Sequence, residues 1–410
     1  MNTNKIPAWV KLQTIVIGSL LLVSLPAQGA TDAEKINVLQ SQVQLLTKRL
    51  ALLESQVQPA QSIPVETYAT PQKTRSTSAS ERDSDVLQFK GDFRFRSESF
   101  WIDNKDDRHR QRIRARAALT AKISNTLTAG FGLASGGDDP LSTNQTLGEA
   151  GSSKNVVKDL AYIDWETPLN GVDLTIGKFK NPLYRVGGSA LLWDGDLRPE
   201  GAGITYRGAG VFANGVVVVI DEDAKGEDSF LLGTQFGLKR SLGNGQLTAG
   251  LGYYNFTGLK GNQVPYDGDP RGNRVNPDGT YATDFRIVEA FAAYSFALAN
   301  NNVTLFSNFI NNTAAKDYDT GYVLGARMKH DAWSLGWSYQ DLEADATLGM
   351  FTDSDFSGGG TDGRGHLLRA GYALTSQVSI NSSLFINERN VDFGETEDYK
   401  RLMLDLSFKY

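Results

Sequence analysis

Basic side chains occupy every second position from Arg108 to Arg116: Arg108, Arg110, Arg112, Arg114 and Arg116, with Lys122 on the same parity. Between and beyond them stand Ile113, Ala115, Ala117, Leu119 and Ala121. Successive side chains of a strand point to opposite faces, so this spacing predicts a strand with one basic and one apolar face. The preceding segment repeats the pattern, with Lys90, Asp92, Arg94 and Arg96 opposite Phe89, Phe93 and Phe95. A row of guanidiniums at strand spacing can select ions by charge or be braced by carboxylates such as Asp92 and Glu289. Like charges this dense repel, so they require water or carboxylate partners around them. Arg108 and Arg110, near a loop end, could also contact lipopolysaccharide.

A second charged constellation lies at 178–200. Lys178 and Lys180 precede a segment carrying Arg185, Asp194, Asp196, Arg198 and Glu200, interleaved with Leu183, Tyr184, Leu191, Leu192 and Trp193. Apolar residues in that number can pack against a wall, which is not the composition of a floppy polar loop. Elsewhere the chemistry is thin. The runs Tyr266–Asn273 and Asn276–Gly279 pair Asp with Gly, as calcium loops do, but lack the twelve-residue ligand order and read more simply as turns, as does Asp138-Asp139-Pro140. Gly358–Gly360 is not followed by Lys-Ser/Thr, so it is no phosphate cradle. His109, His330 and His366 stand in no Ser/Asp arrangement, and the chain has no Cys. Hence no catalytic residue, metal site or cofactor is expected, and the chain does not read as an enzyme.

The elements that must position these residues are strands. No apolar span of helical membrane-crossing length follows the N-terminus, and alternating segments of barrel-strand length recur to the last residue. We place sixteen, at 87–99, 108–123, 126–136, 156–167, 171–180, 200–208, 212–221, 228–240, 245–256, 284–298, 302–313, 319–330, 332–343, 364–374, 377–388 and 398–410. Short connections alternate with long ones, notably 137–155, 181–199, 257–283, 344–363 and 389–397. An even strand number with tight turns at one end and long loops at the other is the pattern of a 16-stranded antiparallel transmembrane β-barrel. Trp333, Leu335 and Trp337 would face lipid, with Ser334, Gly336 and Ser338 inward. Trp165, Tyr294, Phe296, Trp333 and Phe408 sit near strand ends, where interfacial girdles form. An open sheet edge in hydrocarbon would leave backbone groups unpaired, so the first strand must pair with the last.

Ahead of the barrel, Lys5 and Lys11 precede an apolar run from Ile15 to Leu25 and the small-residue site Ala27-Gln28-Gly29. This predicts a signal peptide over 1–29. Its removal takes away two lysines and moves the formal charge from −6 to −8, a balance that argues against nucleic-acid partners. Ile36, Leu39, Val43, Leu46, Leu50, Leu53 and Val57 follow a 3-4 spacing, which predicts a short helical coiled coil over 33–57; a lone amphipathic helix is the alternative. Its a and d residues lean toward two strands, although Leu50 blurs that signal. Residues 58–85 read as a flexible linker and 86–410 as the barrel.

The barrel segment resembles the putative porin family of Gram-negative outer membranes. The resemblance is carried by Gly91–Arg96, Arg112–Ala117, Gly137–Leu147, Ala161–Trp165, Gly177–Pro182 and Trp193–Gly201, and covers about four fifths of the chain. It implies a passive outer-membrane channel for small hydrophilic solutes, a homotrimer, and an N-terminal segment in the periplasm. In trimeric general porins the third long loop folds inward and narrows the barrel, and 181–200 matches it in position. Asp194, Asp196 or Glu200 would then face Arg94, Arg96, Arg110, Arg112, Arg114 and Arg116 across the pore. The strand ending in Phe408 and Tyr410 resembles the signal read by the outer-membrane assembly machinery, and lipid with lipopolysaccharide would surround the barrel. An anion-preferring diffusion channel is the leading expectation. Alternatives are a substrate-specific channel for a sugar, dicarboxylate or siderophore, and a structural tether.

Overall fold

A computed structural model describes residues 86–224 and 226–410. The expected signal peptide, the heptad seam from Ile36 to Val57 and the linker lie outside the described residues. Sixteen long strands form one closed antiparallel barrel. In chain order they are β1 (Leu87–Ile102), β2 (Arg108–Lys122), β3 (Leu127–Ser135), β4 (Val156–Glu166), β5 (Val172–Lys178), β6 (Glu200–Gly208), β7 (Val211–Asp221) and β8 (Ser229–Leu242). The second half comprises β9 (Gly245–Thr257), β10 (Phe285–Leu298), β11 (Asn301–Asn312), β12 (Thr320–His330), β13 (Trp333–Leu342), β14 (Gly363–Ala373), β15 (Val378–Arg389) and β16 (Glu397–Lys409). A further two-residue strand, Gln145–Thr146, has no counterpart in the sequence reading; it comes back from its loop to pair with Arg112 and Ile113 of β2.

The connections segregate as the sequence predicts. One end carries 123–126, 167–171, 209–210, 243–244, 299–300, 331–332 and 374–377, and the other carries the long loops. The seam closes between β1 and β16, from Asp92 opposite Lys409 to Ile102 opposite Tyr399. Tyr410 completes it: its backbone N–H donates to Gly91 O at 3.1 Å, Gly91 N–H donates to Tyr410 O at 2.8 Å, and its ring stacks on Phe89 at 5.8 Å. Gly91 is required there, because a Cβ would lie 2.4 Å from the Tyr410 ring.

Outward residues form the apolar belt, including Leu251, Tyr253, Trp333, Leu335, Trp337 and Leu404, all well exposed. In hydrocarbon such faces are covered by lipid. The inner face is less uniform than strict alternation implies. From β7 to β12 it is apolar too, with Phe212, Val216, Tyr254, Ile287, Phe291 and Ile310 buried. Two loops, 179–199 and 343–362, fill the barrel against this wall. Their Leu183, Val186, Leu191, Leu192, Trp193, Leu348 and Phe351 join it in one hydrophobic cluster. Burial of one such side chain contributes about 1.5–3 kcal/mol. Half of the barrel interior is therefore packed like a soluble protein core.

Candidate functional site

The opposite inner wall, made by β1, β2 and β16, carries the guanidiniums. Strand pairing sets the even residues of β1 and β2 side by side, Asp92 opposite Arg116, Arg94 opposite Arg114 and Arg96 opposite Arg112. It also sets Arg96 opposite Asp405 of β16. The sequence-predicted ladder Arg94, Arg96, Arg110, Arg112, Arg114 and Arg116 is thus brought together on one face, and Arg401 joins it.

Every one of these seven has a carboxylate neighbour. Arg96 binds Asp405 with two hydrogen bonds of 2.7 and 2.8 Å. Arg94 lies 3.8 Å from Asp405 and donates to Asn144 Oδ1 at 2.6 Å. Glu98, fully buried, is shared by Arg110, by Arg401 at 2.8 Å and by Arg112 at 3.8 Å. Arg114 and Arg116 both grip Asp92, at 2.9 and 2.8 Å. Two loop carboxylates complete the set. Asp196 receives Arg114 at 3.2 Å and Arg116 at 2.8 Å, and Asp355 meets Arg401 at 2.9 Å and Arg96 at 3.4 Å. Burial alone would push both loop carboxyls up. The guanidiniums outweigh it, with Arg114 and Arg116 beside Asp196 and Arg401 and Arg96 beside Asp355, so both carboxyls lie below the usual carboxylate range.

The loop acids therefore divide. Asp196 meets the ladder, by direct contact rather than across water. Asp194 does not: its carboxylate accepts from the backbone N–H of Asp196 at 2.7 Å and of Ser354 at 3.0 Å, tying 179–199 to 343–362. Burial, then the charge of Asp353, pushes its carboxyl up to about 7. Glu200 also turns away, pairing with Lys178 at 2.6 Å on an exposed edge. Arg185 donates to Trp193 O at 3.3 Å within its own loop. Among the described residues Glu289 braces no arginine. It accepts from Tyr254 at 2.6 Å, Gln235 at 3.0 Å and Asn308 at 2.9 Å, while Gln235 holds the Tyr184 backbone from both sides.

Two cavities lie beside the ladder; the smaller reaches it at Arg116 and the larger reaches its partner Asp196. One of about 840 Å³ opens among the long loops and is lined by Asp138, Lys158, Asp159, Lys178, Asp196 and Arg198. The other, about 150 Å³, lies lower and is lined by Lys90, Asp92, Arg116, Asp159, Lys180 and Arg198. Asp159 and Arg198 line both, and they form an ion pair at 3.4 Å. Sequence reasoning missed Glu98, Asp159, Asp355, Arg401 and Asp405. The first strand's alternation and the closure of β1 on β16 contain the signal for Glu98, Arg401 and Asp405. A loop carboxylate such as Asp355 has no periodicity to betray it.

A closed barrel with a charged wall and inward-folded loops can pass or hold small solutes. The family model described as putative porin matches residues 97–272 and 316–410. The chain belongs to the putative porin family. Among solved structures it is similar to OprB of Pseudomonas putida, with a TM-score of 0.58 at 13% identity, covering 81% of this chain and 96% of that one. A triple mutant of the Rhodopseudomonas blastica porin gives a TM-score of 0.47 at 14% identity, covering 79% of this chain and 100% of that one. No curated protein matches the chain. Family and fold indicate an outer-membrane channel protein rather than an enzyme.

Proposed function

We propose that this porin-family barrel is a passive outer-membrane channel that favours small hydrophilic anions. Solutes pass along the arginine wall, and the narrowest point is the group Arg116, Asp159, Asp196 and Arg198. The observation that carries this reading is the pairing of the ladder with Asp196 of the inward-folded loop, where two cavities meet at one ion pair. Seven guanidiniums against the five carboxylates Asp92, Glu98, Asp196, Asp355 and Asp405 leave an excess of positive charge there. A wall with an excess of one sign concentrates counter-ions.

The long loops face outward and the short turns face the periplasm, where residues 33–57 self-associate as a coiled coil. The outer-membrane assembly machinery reads the strand ending in Phe408 and Tyr410, and the finished barrel is a homotrimer set among lipid and lipopolysaccharide. Planar-bilayer reversal potentials test the channel reading. The wild type prefers chloride over potassium, and replacing Arg112, Arg114 and Arg116 together with Ala reduces that preference. A cation-selective wild type, or unchanged selectivity in the triple variant, overturns it.

A further inference from the structure

Beneath loop 179–199, toward the short-turn end, lies a third cavity of about 640 Å³. Its charged lining is Arg185, Arg207 and Lys239; among the described residues no Asp or Glu lines it. The contrast with the cavity above the loop is one of sign. That larger space carries Asp138, Asp139, Asp159, Asp196, Glu200, Asp221 and Glu222 against three cations, Lys158, Lys178 and Arg198. The loop thus separates an acidic chamber from a basic one.

The cations of the lower chamber lack the close carboxylate partners of the ladder, although Arg185 also donates to Trp193 O at 3.3 Å. Among the described residues Arg185 and Lys239 form no ion pair, and Arg207 has one weak, exposed partner, Asp173 at 3.7 Å. Charges near Arg185 add to the same sign: Arg185 and Arg369 are the guanidiniums that bear on Arg327, whose head lies against Gly188 of the same loop. The remaining lining is largely apolar and aromatic, with Leu183, Tyr184, Val211 and Phe212, plus the side-chain amide of Asn214. Lys239 Nζ stands 6.0 Å from the Tyr184 ring centre and 5.9 Å from that of Phe212. Cations over an apolar floor match one chemical class. An inorganic anion would use the charges and waste the floor; a neutral sugar would leave the cations unanswered.

We infer that this chamber is a binding site for an organic carboxylate with an apolar, ring-sized body, held by Arg185 and Lys239 through its carboxylate and by Tyr184 and Phe212 through its body. Arg207, at the mouth, draws the anion in. Guanidinium and carboxylate meet in a two-bond fork, and rings pack on the floor. The site deepens the channel reading and rests on it: a solute that passes the constriction is held here before release at the short-turn end.

Benzoate is the probe, titrated calorimetrically into the full-length protein in detergent micelles, with inorganic phosphate as the charge-only comparison. Benzoate binds the wild type, and the double variant Arg185→Gln/Lys239→Gln weakens it by about tenfold or more, as expected for loss of charge-assisted hydrogen bonds. The charge-preserving pair Arg185→Lys/Lys239→Arg retains most of it, which separates the charge from a structural role of Arg185. Arg207→Gln, at an exposed position, weakens binding severalfold and keeps the proposal testable where the double variant misfolds. Benzoate binding equal in wild type and double variant, phosphate binding as tight as benzoate, or no benzoate binding at all overturns the site. Conductance on the same preparation separates the two readings. A conducting wild type that does not bind benzoate removes the site alone, and benzoate binding without conductance removes the channel alone.

Discussion

Replacing Asp196 with Asn separates what holds the inward loop from what sets its field. Asp196 accepts from Arg114 and Arg116 with side chains only 12–22% exposed. Each such charge-assisted bond contributes about 1.5–3 kcal/mol, so the carboxylate supplies at most about 3–6 kcal/mol to docking. The apolar anchors Leu183, Val186, Leu191, Leu192 and Trp193, all nearly fully buried, supply about 1.5–3 kcal/mol each and together exceed it. Asp196→Asn therefore leaves the loop in place and removes one negative charge. For an anion passing roughly 8 Å away at an effective dielectric near 20, the Coulomb change is about 2 kcal/mol. Screening with a Debye length of about 10 Å at 0.1 M salt halves it. Anion permeability rises by about fivefold and cation permeability falls by the same factor, so their ratio rises by about 25-fold, since about 1.4 kcal/mol is tenfold.

The assay is the reversal potential across a planar bilayer under a KCl gradient, repeated at high salt, with Trp193→Ala as comparison. Asp196→Asn shifts the potential toward anions at nearly constant conductance, and the shift fades at about 1 M salt as the Debye length falls to about 3 Å. Trp193→Ala opens an apolar cavity and raises conductance instead. A shift toward cations, or a conductance jump in Asp196→Asn matching that of Trp193→Ala, refutes the assignment of separate roles.

Three further outcomes are expected. Asp194, ordinarily near 3.8, is raised to about 7 when the two loops dock. A carboxyl raised on docking favours the docked state below its free value, and that contribution is lost as pH rises through the docked value. Contact between 179–199 and 343–362 thus weakens between about pH 4 and 7, with Asp353 opposing Asp194, and hydrogen-exchange protection of the loops falls over that window in the wild type but not in Asp194→Asn. Gly187 holds φ +55° and a Cβ there would meet the Phe306 ring at 2.4 Å, so Gly187→Val costs about 1–3 kcal/mol in backbone strain plus the clash and raises protease cleavage within 179–199. Gly91→Val drives Tyr410 off the seam and lowers the temperature at which the folded barrel loses its compact gel mobility by several degrees, while an unchanged transition would remove Tyr410 from the closure.

The barrel was legible because lipid imposes a period of two on outward residues. Trp333, Leu335 and Trp337 announce their strand, and Leu402 to Tyr410 announce the last one. The inner wall was legible only where it is charged. In β7 the run Val216–Ile220 is apolar on both faces, Val217 and Val219 outward and Val216 and Val218 inward. Such a run reads as a strand covered on both sides, and what covers it inside are loops from elsewhere in the chain. That contact is tertiary, so no local spacing records it. The same holds for Asp355, whose partners Arg96 and Arg401 come from opposite ends of the barrel sequence. Asp196 and Asp194 have the same residue type two positions apart, and only packing decides that one meets guanidiniums and the other a second loop.

The two inner walls explain each other. A guanidinium ladder alone would repel itself, and a barrel lined by water alone would leave seven cations partly uncompensated. The apolar wall gives loops 179–199 and 343–362 a surface to bury against, at no cost in paired charge. Once seated, each loop presents one carboxylate, Asp196 or Asp355, to the ladder. On the proposed reading, hydrophobic burial supplies the positioning energy and the ion pairs set the selectivity, so the two can be altered separately. Substitutions in the apolar half should change how much passes through the barrel. Substitutions among the carboxylates should change which charge passes.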